Sequence, residues 1–219
     1  MRQHPSPNFG PRRDGLTPSI VVLHYTAMAS SAAAIARLCD PKAQVSSHYV
    51  ICRRGEAVQL VSEAQRAWHA GAGEWRGQGD INSRSIGIEL DNAGDHPFPE
   101  PQMAALETLL ADILSRWSIP PQNVIGHSDM APGRKIDPGS RFDWARLARR
   151  KLAAQAGGGN RHQHPTAAQL RSLAVRTGYT ADVDHTTLLA AIRLRFRPFA
   201  TGPLEPEDIA VLGHNAPRT

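Results

Sequence analysis

The chain has 219 residues, of which 41% are hydrophobic and 21% are charged, and its formal net charge is +5. This composition is typical of a folded globular protein and excludes a disordered or fibrous chain. Apolar runs such as 20–23 are far shorter than the roughly 18 residues that a transmembrane helix needs, so the sequence predicts no membrane insertion. The length exceeds that of a typical single domain, which indicates one larger domain with a small addition.

The basic charge is compatible with binding to anionic polymers, but the arginines and lysines are spread along the chain without a nucleic-acid-binding motif. We therefore predict no nucleic-acid partner. The N-terminal residues 1–5 contain no apolar core of a signal peptide, which predicts a cytoplasmic protein. The alternative is the periplasm or cell envelope, if an export signal is missing from this chain. Cys39 and Cys52 are too few for a disulfide framework and are interpreted as buried reduced thiols.

Small residues and glycines fill the segment 153–160, which predicts a flexible linker between a larger domain over 1–155 and a small helical domain over 165–219. Sequence composition predicts strands at 19–25, 47–52, 57–61, 85–90 and 123–126. Apolar residues at helical spacing predict helices at 30–38, from Pro101 to Trp117, and at 167–176, 185–195 and 206–212. The predicted fold class is therefore α/β, with a mixed β-sheet flanked by helices and a small C-terminal three-helix domain.

Two histidines follow apolar strands directly: His24 follows 20–23, and His127 follows 124–126. Ligands of open α/β sheets gather where strands end and loops begin, so both imidazoles are expected to face one cleft. Asp137 lies ten residues after His127, in a loop rich in proline and glycine that would fix the direction of its carboxylate. Two imidazoles and one carboxylate form a zinc site of the catalytic type, with the fourth position open for water. The alternative interpretation is two strand-end histidines and a turn-forming aspartate.

Several short motifs occur in order along the chain: V-L-H-Y-T at 22–26, S-H-Y at 47–49, R-A-W-H-A-G at 66–71, N-S-R-S-I-G-I-E-L at 82–90, and G-H-S-D followed by A-P-G-R-K-I-D-P-G between 126 and 139. They resemble the zinc-dependent N-acetylmuramoyl-L-alanine amidases of type 2, a family that also contains phage lysozyme-type amidases and the animal peptidoglycan recognition proteins. The resemblance covers about residues 16–150. It implies an enzyme that hydrolyses the amide between N-acetylmuramic acid and L-alanine in peptidoglycan or (anhydro)muropeptides.

The resemblance also assigns roles to particular residues. It makes His24, His127 and Asp137 the ligands of Zn²⁺. It makes Glu89 the general base that takes a proton from zinc-activated water, and Lys135 the basic residue that stabilises the transition state. The alternatives are an exposed strand carboxylate for Glu89 and an ordinary surface lysine for Lys135.

Four further residues belong to the matching motifs and are predicted to contact substrate: Tyr25, Trp68, His69 and Asn82. We expect Trp68 to stack on the sugar, and His69 to bind the peptide or the oxyanion. The alternative is a buried tryptophan beside a histidine whose hydrogen bonds are all made within the protein. His48 is predicted to be a strand residue and not a fourth ligand, because another ligand would close the position that water needs.

The C-terminal helices resemble peptidoglycan-binding helical modules through Gly178-Tyr179 and through 196–198, and the alternative is a purely structural appendage. We predict a monomer whose partners are peptidoglycan or muropeptides. Rival functions are a non-hydrolytic peptidoglycan-binding protein and a zinc amidase of another acyl-amino acid. The sequence leaves open whether the substrate is polymeric wall or soluble anhydro-muropeptide.

Overall fold

The computed structural model describes residues 1–159 and 164–213. Its strands are β1 (Arg2–Gln3), β2 (Phe9–Gly10), β3 (Ile20–Tyr25), β4 (Tyr49–Ile51), β5 (Ala57–Gln59), β6 (Arg66–Ala67), β7 (Ser85–Leu90) and β8 (Val124–Gly126). A six-stranded mixed sheet has the order β1-β5-β4-β7-β3-β8, while β2 pairs with β6. Neighbours among β4, β7, β3 and β8 are parallel, and β5 runs antiparallel to β4.

The α-helices of the described residues are α1 (Ser31–Cys39), α2 (Ile81–Arg84), α3 (Glu100–Trp117), α4 (His127–Met130), α5 (Trp144–Arg149), α6 (Ala167–Thr177), α7 (His185–Phe196) and α8 (Pro206–Ala210). Side-chain caps explain where α1 and α7 begin, because Ser30 accepts from the Ala33 N–H and Asp184 accepts from the Thr187 N–H. Pro101 lies in the first turn of α3, where a missing N–H breaks no helical hydrogen bond. In the described part of the chain, no helix has both the length and the hydropathy to cross a bilayer.

The central strands are buried on both faces because helices cover each side of the sheet. Along β3, Val21 and Leu23 point to one side, where they share an apolar core with α3. Ile20 and Val22 point to the opposite side and belong to a second apolar core. Side chains alternate along a strand, so His24 lies on this second face, at the end of β3.

The predicted α/β class with a mixed sheet is confirmed. The strand predicted at 85–90 has those bounds, and the other predicted strands extend up to two residues too far at an end. Prediction misses the short strands β1, β2 and β6 and the short helices α2, α4 and α5. Elements of two to six residues carry too little periodicity to stand out from loops.

The C-terminal helices α6, α7 and α8 pack directly on the second face of the sheet. Leu170 and Ile192 share one continuous apolar core with Ile20 and Val22 of β3. The apolar faces of these helices are therefore buried against the sheet. Part of the predicted linker, 160–163, lies outside the described residues, and the proposed domain boundaries stay a prediction.

Arg195 of α7 joins the C-terminal helices to the sheet through a buried ion pair. Its guanidinium lies 2.7 Å from Asp129 Oδ2, donates to the Val124 carbonyl at 3.0 Å, and lies 4.1 Å from the centre of the Trp144 ring. The Tyr179 hydroxyl donates to the other carboxylate oxygen of Asp129 at 2.5 Å. All of these side chains are buried. Because Asp129 belongs to α4, the C-terminal helices contact the segment that follows β8 directly.

We expect Arg195→Ala to lower the free energy of unfolding by about 3–5 kcal/mol, because the buried Asp129 carboxylate loses its cation. Urea denaturation followed by circular dichroism measures this change. Arg149→Ala is a matched control, since Arg149 is exposed and its pair with Asp143 spans 3.9 Å. The control should lose less than about 1 kcal/mol. Equal losses in both variants would contradict a special role for the buried pair.

Candidate metal centre

The carboxyl ends of β3 and β8 bring two histidines together. His24 is the fifth residue of β3, and His127 begins α4 directly after β8. The two strands are adjacent and parallel, so these ends lie at the same edge of the sheet. Asp137 joins them from the loop that follows α4. A hydrogen bond of 3.0 Å from the Ser128 N–H to the Asp137 carbonyl holds that loop in place.

Three side-chain atoms converge at this edge. His24 Nδ1 lies 3.0 Å from His127 Nδ1 and 2.9 Å from Asp137 Oδ2, and His127 Nδ1 lies 3.1 Å from Asp137 Oδ2. All three residues are buried. Within the described chain, they form a group of donors that are close enough to share one metal ion.

A backbone carbonyl fixes the tautomer of His127. Its Nε2 lies 2.8 Å from the Ala70 oxygen, which only accepts hydrogen bonds, so Nε2 carries the proton. In the neutral ring, Nδ1 is then unprotonated, and its lone pair points toward the other two donors. Histidines that bind metals commonly donate their second N–H to a carbonyl in this way.

A chain of hydrogen bonds fixes the tautomer of His24. The Ser85 hydroxyl donates to the Ile81 carbonyl at 2.6 Å, so it accepts from His69 Nε2 at 3.1 Å. His69 Nδ1 is left to accept from the His24 Nε2–H at 3.0 Å. Burial, assisted by the neighbouring imidazole of His24, lowers the pKa of His69 well below its usual value, so its ring is neutral. His24 Nδ1 therefore also presents a lone pair to the cluster.

Two nitrogen lone pairs and a carboxylate oxygen at these distances repel one another unless a cation lies between them. Burial, followed by repulsion from His127, lowers the pKa of His24 to about 4, so the ring is neutral at pH 7. Neutral imidazoles and an ionised carboxylate are the forms that bind a metal, so the residues fit Zn²⁺.

The cluster lines a cavity of about 580 Å³, and Glu89 and Lys135 line the same cavity. Glu89 is paired with His24 across β7 and β3, so both side chains lie on the same face of the sheet. Glu89 Oε2 is buried and has no hydrogen-bond partner among the described residues. Burial, followed by the charge of Asp137, raises the pKa of Glu89 well above its usual value, although Lys135 acts in the opposite direction. Perturbed carboxyl groups of this kind, buried beside a cavity, are typical of functional sites.

Three of the predicted substrate contacts, Tyr25, Trp68 and His69, form part of the wall of this cavity. The Tyr25 ring packs over Gly94, where a Cβ atom would come within 2.7 Å of it. Trp68 also lines a second cavity of about 430 Å³, which shares several lining residues with the first. Their contact with substrate stays a prediction.

His69 and Asn82 both line the second cavity, and their polar atoms also have partners within the protein. The ring nitrogens of His69 face His24 and Ser85, so neither of them is left for a substrate. Asn82 is buried, and its Oδ1 accepts from the backbone N–H groups of His69 and Ala70 at 3.0 and 2.9 Å. Hydrogen bonds inside the protein satisfy these buried polar groups, which would otherwise be costly to bury.

Two residues that support the centre, Ser85 and Arg134, are not among those expected from the sequence. Ser85 lies on the same face of β7 as Glu89, so the two-residue period of the strand contains a signal for it. Arg134 donates to the carbonyls of Ala70 and Ala72, which ties the loop carrying Asp137 to the segment behind His127. Its only sequence signal is its place in the A-P-G-R-K-I-D motif.

The chain is similar in sequence to proteins of one family. A family model described as N-acetylmuramoyl-L-alanine amidase matches residues 14–140. The chain is 36% identical over 209 residues to the N-acetylmuramoyl-L-alanine amidase AmiD of Escherichia coli (strain K12), covering 82% of this chain and 75% of AmiD. It is 35% identical over 163 residues to the 1,6-anhydro-N-acetylmuramyl-L-alanine amidase AmpD of the same organism, covering 67% of this chain and 89% of AmpD.

Solved structures of related proteins have the same fold. E. coli AmiD in complex with the substrate anhydro-N-acetylmuramic acid-L-Ala-D-gamma-Glu-L-Lys superposes with a TM-score of 0.81 at 34% identity, covering 91% of this chain and 89% of that chain. AmpDh3 of Pseudomonas aeruginosa in complex with anhydromuramic pentapeptide gives 0.80 at 31% identity, covering 95% and 93%. The match to an AmpD structure has a TM-score of 0.63 at 34% identity and covers 70% of this chain and 94% of that chain.

Two histidines and an aspartate that converge beside a cavity, at the edge of a mixed β-sheet, are typical of metal-dependent hydrolases. The family model covers more than half of the chain, and the relatives are similar along most of it. The chain belongs to the N-acetylmuramoyl-L-alanine amidase family and is an amidase. The family predicted from the sequence motifs is thereby confirmed.

His48 lies close to His69, with 5.8 Å between the ring centres, but it is not part of the donor cluster. The Gly87 N–H donates to its Nδ1 at 3.0 Å, and its Nε2–H donates to the Gln65 carbonyl at 3.1 Å. Burial lowers the pKa of His48 to about 4. The ring is therefore a neutral, fully hydrogen-bonded support for β7.

We expect this ring to make stability depend on pH. The pKa of His48 is about 4 in the folded chain and about 6.5 in the unfolded chain, so the unfolded state binds more protons between those values. Stability is then greatest above about pH 6.5 and falls as the pH drops toward about 4. In metal-free protein, His48→Asn keeps an acceptor for the Gly87 N–H and should lose less stability over this range. Urea denaturation at a series of pH values measures the slope, and equal slopes would contradict the assignment.

Proposed function

We propose that this amidase works with a zinc ion held by His24, His127 and Asp137. The observation that supports the proposal is the convergence of two imidazole lone pairs and one carboxylate oxygen in a buried cluster. Three protein ligands leave a position for water, as in other catalytic zinc sites. Zinc bound there supplies a Lewis acid that makes water nucleophilic near neutral pH.

Glu89 and Lys135 supply the remaining chemistry. Glu89 accepts a proton from the attacking water and later donates it to the departing amine of L-alanine. Its raised pKa suits a group that must both take and release a proton. Lys135, in the same cavity, stabilises the negative charge that develops on the carbonyl oxygen, an effect of about 3–4 kcal/mol for one well-placed donor.

The substrate we propose is an anhydro-muropeptide, cleaved between N-acetylmuramic acid and L-alanine. The AmiD and AmpDh3 structures are complexes with molecules of this class. The cavities of about 580 and 430 Å³ share lining residues and together offer room for a sugar and a peptide.

The C-terminal helices stabilise the amidase domain in this proposal and do not recruit polymeric wall. Arg195 is engaged by Asp129, while Arg193 and Arg197 both pair with Asp208. These guanidinium groups therefore have carboxylate partners inside the protein. Binding of a polymer would have to use other residues of the helices.

We expect the purified protein to hold about one zinc ion per chain, and Asp137→Ala to lose most of it, because the site loses its only anionic ligand. Elemental analysis after dialysis measures the zinc content. Asp95→Ala is the control, since the Asp95 side chain is 78% exposed and lies outside the donor cluster. Full zinc occupancy in the Asp137 variant would remove that residue from the ligand set.

We expect Glu89→Gln to keep zinc and fold but to lower kcat by at least about 100-fold, because the shape survives while the proton acceptor is lost. Mass spectrometry of the peptide released from an anhydro-muropeptide measures turnover. Glu56→Gln, at an exposed glutamate of the β4–β5 hairpin, should turn over normally. A near-normal kcat for the Glu89 variant would contradict its role as general base.

A further inference from the structure

Two consecutive residues, His69 and Ala70, contact both histidines of the donor cluster. His69 Nδ1 accepts from the His24 Nε2–H at 3.0 Å, and the Ala70 carbonyl accepts from the His127 Nε2–H at 2.8 Å. Each contact uses the ring nitrogen that faces away from the cluster. The direction of each Nδ1 lone pair is therefore set by this one short stretch of backbone.

Asn82 holds that stretch in place. Its single Oδ1 accepts from the backbone N–H groups of His69 and Ala70 at 3.0 and 2.9 Å. At the far side of the His69 ring, Ser85 accepts from Nε2 at 3.1 Å. Both Asn82 and Ser85 are buried, so they keep these contacts away from solvent.

Gly87 makes room for the His69 ring on β7. A Cβ atom at position 87 would lie 2.5–2.7 Å from three atoms of the ring, which real Cβ atoms do not approach. The ring therefore rests against bare backbone between Ser85 and Glu89, on the face of the sheet that carries the site. The contact with Gly87 and the hydrogen bonds to His24 and Ser85 together hold the His69 ring in place.

We infer that residues 69–70, held by Asn82, form a positioning element for both histidine ligands, and that the ring nitrogens of His69 serve to orient His24. This inference rests on the proposed zinc site. Hydrogen bonds behind metal ligands fix the tautomer and the ring direction, and losing one typically costs about 10–100-fold in metal affinity. The element explains why His69 and Asn82 occur in the motifs although neither lies among the donors.

Zinc affinity, measured without substrate by competition with a chromophoric chelator, tests the inference. His69→Leu removes the acceptor for His24 and should weaken zinc binding by about 10–100-fold. His69→Asn places an amide oxygen near the position of Nδ1 and should recover most of this loss. His96→Leu, which removes a histidine paired with Asp95 and outside the cluster, should bind zinc as the unmodified protein does.

A second measurement separates positioning from packing. The unfolding free energies of the metal-free Leu and Asn variants at position 69 report damage to the core, and the visible spectrum of bound Co²⁺ reports the ligand geometry. We expect the spectrum to change in His69→Leu and to return in His69→Asn, even if both variants are less stable.

The possible results distinguish a failure of the positioning role from a failure of the proposed zinc site. If the unmodified protein binds no zinc, the zinc site itself is wrong. If it binds zinc and His69→Leu binds equally well, only the positioning role is overturned. Equal losses in the Leu and Asn variants would overturn it too, because they would assign the effect to packing of the ring and not to its hydrogen bond.

Discussion

Mutual repulsion among three electron-rich atoms is the constraint on which this site depends. The two Nδ1 atoms and the Asp137 oxygen lie within 3.1 Å of one another, an arrangement that the free side chains would avoid. Each donor is held by a different part of the fold: a strand, the start of a helix, and a loop. The hydrogen bonds behind the donors matter because nothing within the cluster itself, apart from a cation, favours the convergence.

The sheet brings these parts together by its parallel pairing. β8 and β7 lie on either side of β3, so His127 and Glu89 reach His24 from opposite neighbours. The strands are buried on both faces, which leaves their carboxyl ends as the place where polar side chains can gather. Three residues on one face of β7 support the site in different ways. Ser85 accepts from His69, Gly87 makes room for the His69 ring, and Glu89 lines the cavity.

Much of the centre could be predicted from the sequence. His24 and His127 stand out because each follows an apolar strand, and the motif around Asp137 adds the third donor. The roles of His69 and Asn82 could not be predicted in the same way. A motif shows that these residues matter, but whether a polar side chain faces a ligand, a backbone amide or a substrate depends on distances that only the folded chain defines.

The packing of the C-terminal helices shows a second limit of prediction from the sequence. A run of small residues and glycine lacks apolar side chains of its own, so it predicts flexibility wherever it occurs. It says nothing about the surfaces of the helices it connects. Here those surfaces are apolar enough to share a core with Ile20 and Val22, and a charged residue, Arg195, lies at the same junction.

The ion pair between Arg195 and Asp129 also determines which segments of the chain have to be transferred together in a chimera with a related amidase. Asp129 belongs to the amidase part of the chain, yet its Oδ1 accepts from Tyr179, which follows α6, and its Oδ2 accepts from Arg195 of α7. A chimera that joins these helices to another amidase scaffold would leave Arg195 facing whatever side chain that scaffold has at the equivalent place. Such a chimera should therefore take α4 together with the C-terminal helices, so that Arg195 keeps Asp129 as its buried partner.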